Sequence, residues 1–363
     1  MKKFFRYIIL PAGLILILPL VGVMLNGQPW TRYLTFPPKP AIVSHAAFSL
    51  PVFEIMALFI LLITIPMLIK AMTFKKKRKP VPIAEFPWWG YGSLASLVFF
   101  WVLAWTRFNW FTHFQPHTFF PLWLSWIICV NAFIFRRKNN CPLLNSKFKF
   151  LLLFLVSALF WWVFEYLNRF VGNWHYTGSQ YPALQYFLLA TLSFSTVLPA
   201  VESMKSYLLT FDRFQHGFKD VWALKPIDTR PAACLMITSA CILLSLIGIF
   251  PEFLFFCIWL CPFFIFLGCQ ILSGRQHIFT GIQNRDFTQV AAYAVAALVC
   301  GFFWELFNMY SLARWQYSIP YVNKFNLFEM PVLGYAGYLP FGLECAVIID
   351  LVMAPEQRSP PGI

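Results

Sequence analysis

Ten long stretches of the chain consist almost entirely of apolar residues, and short polar segments separate them. A helix needs about 20 consecutive apolar residues to cross the hydrocarbon core of a bilayer, and each stretch reaches or approaches that length. The pattern therefore predicts an all-α, polytopic integral membrane protein with about ten transmembrane helices. The ten segments lie near residues 7–25, 48–70, 87–106, 118–135, 149–170, 190–210, 232–250, 252–272, 289–311 and 332–352.

The composition agrees with a chain embedded in lipid. Of its 363 residues, 60% are hydrophobic and only 12% are charged, whereas a soluble domain carries about 25% charged residues. This balance excludes a soluble enzyme, a disordered chain and a small disulfide scaffold. Basic residues precede the first apolar segment, as in a signal peptide, but no small-x-small cleavage site follows Met24, so we expect this segment to be retained.

The net charge of +14 arises from Lys and Arg residues that lie between the apolar segments. If the N-terminus is cytoplasmic, the loops on that side together with the adjoining ends of the spans contain 22 of the 28 Lys and Arg residues, in agreement with the positive-inside rule. We therefore predict cytoplasmic N- and C-termini in a bacterial inner membrane. The basic runs 75–79 and 136–138 are expected to contact anionic lipid headgroups, and no nucleic-acid partner is expected.

Two parts of the chain resemble each other, at residues 160–202 and 303–344. Self-similarity of this kind indicates an internal duplication. Four spans in each copy would return the chain to the same side, so the two copies are expected to have the same orientation. The matched positions are Glu165, Asn168, Trp174, Tyr176, Pro199 and Glu202 in the first copy and Glu305, Asn308, Trp315, Tyr317, Pro340 and Glu344 in the second, at offsets of 140 to 142.

The duplication predicts five regions along the chain. They are two N-terminal transmembrane helices in 1–85, a first four-helix repeat in 86–212, a cytoplasmic linker in 213–231, a second four-helix repeat in 232–355 and a C-terminal tail in 356–363.

Polar residues recur at matched places in this apolar background. Glu165 and Asn168 are three residues apart and share one helix face, and Glu305 and Asn308 repeat the spacing. The W-x-Y elements follow just outside the spans. They either contribute to a site or anchor the chain at the interface, where Trp and Tyr are favoured.

Glu202 and Glu344 follow their prolines by three and four residues, near the predicted bilayer midplane. An ionised carboxylate there costs about 3 kcal/mol or more, so such groups face the protein interior and usually serve function. A buried carboxyl group favours its neutral form and can donate a proton. The alternative is a structural Glu that hydrogen-bonds a neighbouring helix or a carbonyl freed by the proline.

Other chemistry has little support in the sequence. His113 and His117 are spaced as H-x-x-x-H, but Pro116 interrupts the helix that would place both imidazoles on one face. The chain has no P-loop, G-x-G-x-x-G, G-x-S-x-G or H-E-x-x-H motif. We therefore predict neither a metal nor a cofactor.

The second copy contains Trp304-Glu305, Trp315-Gln-Tyr317, Leu333-Gly334 and the segment from Pro340 to Glu344. In order and distance, these elements resemble those of the integral-membrane lycopene cyclases of carotenoid synthesis. The halves of these cyclases carry W-D-N, W-x-Y and P-x-E-E elements. The resemblance covers about 40 residues in each half.

The chain departs from the cyclase pattern in three ways. Each carboxylate motif has a single Glu, Phe164 replaces the Trp found at 304, and each half has four spans where about three are expected. The resemblance therefore indicates a wider superfamily more than the cyclisation of lycopene itself. It implies acid–base chemistry on a lipid-soluble isoprenoid or carotenoid, by cyclisation, isomerisation or hydration, without a cofactor.

The residues and the resemblance lead to one main hypothesis, an enzyme whose partners are membrane lipid and a hydrophobic small-molecule substrate. In this hypothesis Glu202 and Glu344 are proton donor and acceptor, and Glu165 and Glu305 support them. The substrate contacts Asn168, Asn308, Trp174, Tyr176, Trp304, Trp315 and Tyr317.

Two alternatives remain. One is a proton-coupled transporter or lipid-handling protein that uses the same intramembrane Glu residues. The other is a structural protein that tolerates Glu to Gln at all four positions.

Overall fold

The computed structural model describes residues 8–38, 43–75, 84–178, 180–221 and 228–353. This part of the chain is mostly helical, as the apolar segments predict. The principal helices are α1 (Leu10–Leu25), α2 (Leu50–Thr73), α3 (Trp88–Trp105), α4 (Phe119–Lys138), α5 (Lys147–Val171), α6 (Ala183–Phe194), α7 (Val197–Leu208), α8 (Arg230–Ile247), α9 (Cys257–Leu272), α10 (Thr288–Asn308) and α11 (Gly334–Met353). Short strands are β1 (Trp174–Thr177), β2 (Arg314–Tyr317), β3 (Asn326–Leu327) and β4 (Met330–Pro331).

The helices confirm the class of protein that the apolar segments predict. Within the described ranges, eight helical segments are long and apolar enough to cross a membrane, with α6 and α7 counted as one, and α1 and α9 are shorter apolar helices. The number of crossings and the orientation remain predictions. Parts of two predicted features lie outside the described residues, namely 76–79 of the basic run and 222–227 of the linker, as does the whole predicted tail 356–363.

The helices pack around one buried apolar core. In the region of the first predicted repeat α3 packs on α4 and α5 packs on α7, and in that of the second α8 packs on α9 and α10 packs on α11. Contacts between α10 and α7, and between α11 and α5, join the two regions. The four matched Glu residues are buried in this packed part of the protein.

The sixth predicted span differs from the expected single helix over 190–210. It begins at Ala183 and is interrupted at Ser195 and Thr196, between α6 and α7. Pro199 explains the interruption because a proline has no N–H to bond the carbonyl four residues earlier. Ser157 Oγ of α5 satisfies the broken ends, since it donates to the Phe194 carbonyl at 2.6 Å and accepts from the Leu198 N–H at 3.1 Å.

The helix α2 packs loosely against the rest of the protein. None of its residues is buried, and it is attached mainly near its ends. Phe53 packs against Phe325, with ring centroids 5.5 Å apart, and Met67 and Ala71 pack on a small cluster that includes Phe218. Most of α2 is therefore available to lipid.

Candidate active site

Glu165 lies near the end of α5, where the local sequence turns the chain back over its carboxyl group. The helix ends at Gly172, whose φ of 66° lies in the left-handed region that favours glycine. The Asn168 amide donates to the Trp174 carbonyl at 2.7 Å, and its Oδ1 accepts from the Trp174 N–H at 3.3 Å. These bonds hold β1 against the helix that precedes it.

Three donors converge on a single oxygen, Oε1, of Glu165. The Nε1 atoms of Trp161 and Trp174 donate at 3.1 and 3.0 Å, and the Tyr176 hydroxyl donates at 2.6 Å. Glu165 is buried. Protein donors therefore replace much of the hydration that this oxygen would have in water.

Glu305 has a similar environment at the end of α10. Its Oε1 accepts from Trp315 Nε1 at 3.4 Å, from the Tyr317 hydroxyl at 2.8 Å and from the Tyr338 hydroxyl at 2.7 Å. Its other oxygen, Oε2, is buried and has no hydrogen-bond partner among the described residues. The two oxygens of this carboxyl group thus have opposite environments, one with three donors and one with none.

The paired strands β1 and β2 carry hydrogen-bond donors to both carboxyl groups. Their antiparallel register places Trp174 opposite Tyr317 and Tyr176 opposite Trp315, which is the symmetric pairing of two W-x-Y elements. Asn308 holds Trp315 as Asn168 holds Trp174, with distances of 2.8 and 3.0 Å. The arrangement agrees with the predicted duplication, which itself stays a prediction.

The carboxyl groups share an aromatic environment that centres on Phe341. This ring is 6.0 Å from Trp161 and 5.6 Å from Trp259, on the side of Glu165. It is also 6.3 Å from Trp304 and 6.5 Å from Tyr338, on the side of Glu305. One apolar ring therefore contacts both halves of the site.

The predicted contact residue Trp304 is buried within the second half of this environment. Its ring lies 5.2 Å from Trp123 and 5.9 Å from Tyr338. Phe164, at the matched position in the first half, stacks on Trp259 with centroids 4.7 Å apart. The substitution of Phe for Trp in the first copy thus preserves an aromatic contact at this position.

Glu202 is ion-paired. Lys205 Nζ lies 2.7 Å from its Oε1, which also accepts from the Ser206 hydroxyl at 3.2 Å, and the Tyr293 hydroxyl donates to Oε2 at 2.9 Å. Tyr293 belongs to α10, so these contacts match the structural alternative in which Glu202 bonds a neighbouring helix. The prediction that Glu202 donates or accepts a proton remains untested.

Glu344 has a different environment from Glu202, although the two residues align. It is 1% exposed, and neither carboxyl oxygen has a hydrogen-bond partner among the described residues. The extra residue between Pro340 and Glu344 explains the difference, because one residue rotates a side chain by about 100° around the helix axis. Glu344 is therefore directed to other neighbours than Glu202.

The two strand tyrosines remain neutral hydrogen-bond donors. Burial, followed by the charge of Glu165, holds the pKa of Tyr176 well above its ordinary value. Burial and Glu305 act in the same way on the pKa of Tyr317. Both phenols therefore keep the proton that they donate to the adjacent carboxyl group.

Several aromatic rings that complete the site are not predicted by the sequence. Trp161 precedes Glu165 by four residues on the same helix, a spacing that places both on one face. Tyr338 and Phe341 flank Pro340 in the second repeat and could have been found from that position. Trp123 and Trp259 lie on helices with no polar signal, so only packing reveals them.

The carboxyl groups of Glu165 and Glu305 are buried among side chains. Two cavities of about 540 and 520 Å³ lie at the opposite end of the helices, lined by Glu85 and Arg136 and by Lys70 and His216 respectively, among others. In the part of the chain that the structure describes, no group of three or more His, Cys, Asp and Glu side chains is placed to hold a metal ion.

Comparison of the chain with protein-family models, with curated proteins and with solved structures finds no match.

Proposed function

We propose that the protein is a membrane enzyme that performs acid–base chemistry on a lipid-soluble isoprenoid or carotenoid, without a cofactor. One observation carries this proposal, namely the carboxyl group of Glu305. Its Oε1 accepts three hydrogen bonds, and its Oε2 is buried without a partner. This geometry suits a neutral acid with its proton on Oε2, since the three donors would stabilise the carboxylate that remains after proton transfer.

The proposed reaction begins with protonation of a carbon–carbon double bond. The Oε2–H bond of Glu305 breaks, the π electrons of the substrate form a new C–H bond, and the other alkene carbon becomes a carbocation. Aromatic faces such as those of Trp304 and Phe341 stabilise a desolvated cation by about 2 kcal/mol or more. Loss of a proton from a neighbouring carbon to the carboxylate of Glu165 then gives an isomerised or cyclised product. Transfer of one proton from Glu165 back to Glu305 restores the starting state.

The roles of the four Glu residues follow from their contacts. Glu305 is the proposed donor because its Oε2 is buried without a partner and can carry the proton. Glu165, whose Oε1 also has three donors that stabilise negative charge, is the proposed acceptor. Glu344 supplies a second candidate acid, since an unpartnered carboxyl group in an apolar site favours the neutral form. Glu202 has the weakest claim because Lys205, Ser206 and Tyr293 already contact its carboxyl oxygens.

The proposed substrate class is supported by the lining of the site and by the sequence resemblance. The rings around the carboxyl groups offer a hydrophobic molecule many contacts, and a lipid-soluble substrate reaches intramembrane residues through the bilayer. The resemblance of the Trp-Glu, W-x-Y and Pro-to-Glu elements to those of membrane lycopene cyclases points to an isoprenoid.

The test is the lipid extract of cells that express the wild type, Glu305→Gln or Glu165→Gln, profiled by mass spectrometry for isoprenoids and carotenoids. Glu85→Gln is a matched control because Glu85 is exposed at the other end of the helices. We expect a species that is isomerised, cyclised or hydrated in cells with the wild type and the control, and unchanged in cells with the two site variants. Identical profiles for all four folded proteins would contradict the proposal.

A second candidate function, proton-coupled transport, is favoured by the interruption between α6 and α7. Coupled carriers commonly bind their cargo at interrupted helices, and this interruption lies just before Pro199 and Glu202. Buried acids also lie at several levels, since Glu305 is near one end of α10 and Glu344 is near the middle of α11. Proton flux into liposomes that contain the protein, abolished by Glu344→Gln, would favour this function over the enzyme.

A further inference from the structure

A cavity of about 520 Å³ lies between the end of α2 and the short helix Asp212–His216. It is on the side of the protein that the charge pattern predicts to be cytoplasmic, at the level where the apolar run of α2 ends. Its lining includes Lys70, Lys75, Asp212, His216, Lys219 and Asp220. The cavity is thus polar and charged, and it adjoins the most lipid-exposed helix of the described chain.

The lysines of this cavity retain donors for a ligand. Lys70 Nζ donates at 3.3 Å to the backbone carbonyl of Asp220, and an ammonium group has three N–H donors. Lys219 Nζ is 3.9 Å from Asp286 Oδ2, so the two groups form only a long ion pair. Their side chains are 47% and 35% exposed. Lys75 is exposed. The lining thus contains three lysines and two aspartates, Asp212 and Asp220, with Asp286 beyond it near Lys219.

An apolar surface begins directly beside these lysines. Ile69 is 55% and Met72 is 73% exposed, and the exposed apolar residues continue along α2 because none of its residues is buried. A molecule with an anionic head and a hydrophobic tail can contact both surfaces at once. A soluble anion lacks the apolar part, and a zwitterionic lipid carries no net negative charge.

From this juxtaposition we propose that the cavity binds the phosphate headgroup of an anionic lipid, whose acyl chains lie along α2. The headgroup oxygens accept from the ammonium groups of Lys70, Lys75 and Lys219. The site also explains how α2 stays beside the protein despite its loose packing, because a bound lipid contacts both α2 and the segment after α7. The proposal does not depend on the chemistry of the candidate active site.

The test is native mass spectrometry of the full-length protein with phosphatidylglycerol or with phosphatidylcholine of the same acyl chains. We expect the wild type to retain phosphatidylglycerol in preference. Each lysine near an anionic lipid contributes about fivefold in binding, so the double variant Lys70→Gln, Lys219→Gln should weaken retention about 25-fold. Equal retention of the two lipids, or unchanged retention by this variant, would overturn the proposal.

Two controls distinguish the loss of charge at this cavity from a loss of folding and from a general loss of positive charge on the protein. Lys70→Arg with Lys219→Arg keeps both charges and should retain phosphatidylglycerol. Lys138→Gln with Lys147→Gln removes two exposed lysines elsewhere on the same side and should leave retention unchanged. An equal loss in this second control would overturn the assignment to the cavity.

A competition experiment distinguishes a lipid from a soluble anion. Inorganic phosphate added to the phosphatidylglycerol complex should not displace the lipid at matched concentration, because phosphate lacks the apolar contacts with α2. Displacement at matched concentration would contradict the lipid assignment.

Discussion

At the scale of single residues, the unusual feature is the concentration of donors on one carboxyl oxygen. Hydrogen bonds to a charged group contribute about 1.5–3 kcal/mol each, so three of them offset part of the cost of forming a carboxylate in a place that water does not hydrate well. The same arrangement occurs at Glu165 and Glu305. Such stabilisation is what an acid needs after it has given its proton to a substrate.

Tyr338→Phe tests the donors around Glu305. The change removes the 2.7 Å bond to Oε1 and leaves the ring in place, so we expect at least a tenfold loss in turnover of the species found by lipid profiling, equivalent to about 1.4 kcal/mol. Tyr335→Phe is the control because its hydroxyl donates to the Leu327 carbonyl. Equal rates for both variants and the wild type would show that the donor has no catalytic part.

Asn168→Ala tests how the first W-x-Y element is held. The variant loses both bonds between the Asn168 side chain and the Trp174 backbone and leaves these buried groups without partners. We expect a lower free energy of unfolding by about 1–3 kcal/mol, measured from thermal unfolding in detergent. Asn308→Ala should have a similar effect, and a neutral result for both would contradict the structural part assigned to the Asn residues.

At the scale of elements, the interrupted sixth span shows how a membrane helix accommodates a break. Exposed backbone groups are costly in lipid, so an interruption requires partners from neighbouring helices. Ser157 of α5 supplies them to Phe194 and Leu198. By contrast, Pro340 lies within the continuous α11, so the two prolines of the matched motifs have different structural effects.

Ser157→Ala tests this account of the interruption. The variant leaves the Leu198 N–H and the Phe194 carbonyl without their side-chain partner, and we expect a cost of about 1–3 kcal/mol in stability. Ser195→Ala is a matched control, since the Ser195 hydroxyl is exposed and bonds only the Leu192 carbonyl in its own helix. A smaller loss for Ser157→Ala than for the control would contradict the role assigned to Ser157.

At the scale of the whole molecule, the segment before α2 connects the two halves above the strand pair. His45 Nδ1 lies 2.6 Å from Glu252 Oε1, and His45 Nε2 lies 3.2 Å from the Gly172 carbonyl. The Ala46 N–H donates to Glu252 Oε2 at 3.0 Å. Gly172 ends α5 of the first half and Glu252 precedes α9 of the second, so this segment fastens one half to the other.

The pKa of Glu252 indicates how the stability of this connection depends on pH. Burial raises the pKa of Glu252, but the hydrogen bonds from Ala46 and His45 and the charge of His45 outweigh it, so the pKa lies below its ordinary value. The contribution to stability is therefore complete above the ordinary pKa of a glutamic acid and is lost as the pH falls through the lowered value.

Thermal unfolding of the wild type and Glu252→Gln, compared from pH 7 to pH 3, measures this effect. The wild type should be more stable at neutral pH, and the difference should shrink in the acid range. A difference that stays constant or grows on acidification would contradict this assignment.

Much of the architecture was predictable from the sequence because lipid imposes strict conditions on it. A spanning helix must be long and apolar, so the segments are visible as runs along the chain. Intramembrane acids are equally visible because they are costly in lipid. For the same reason, Glu165, Glu202, Glu305 and Glu344 were all identified and all are buried.

The environment of each acid could not be predicted in the same way. Glu202 and Glu344 are equivalent in the aligned repeats, but the second copy has one more residue between the proline and the Glu. The side chains therefore have different neighbours. Glu202 contacts Lys205 and Tyr293, and the carboxyl oxygens of Glu344 have no hydrogen-bond partner among the described residues. Trp123 and Trp259 come from distant parts of the chain and have no acidic residue next to them in the sequence. Their place in the site depends on how the helices pack.

The sequence by itself thus determined that this is a helical membrane protein and that it buries Glu165, Glu202, Glu305 and Glu344, because both follow from the local cost of placing groups in lipid. Only the tertiary structure decided that Trp and Tyr side chains place three donors on one oxygen of Glu165 and of Glu305, that Glu202 is paired and that Glu344 is not. These features depend on distances between segments far apart in the chain, and such distances are set by helix packing rather than by the local pattern of residues.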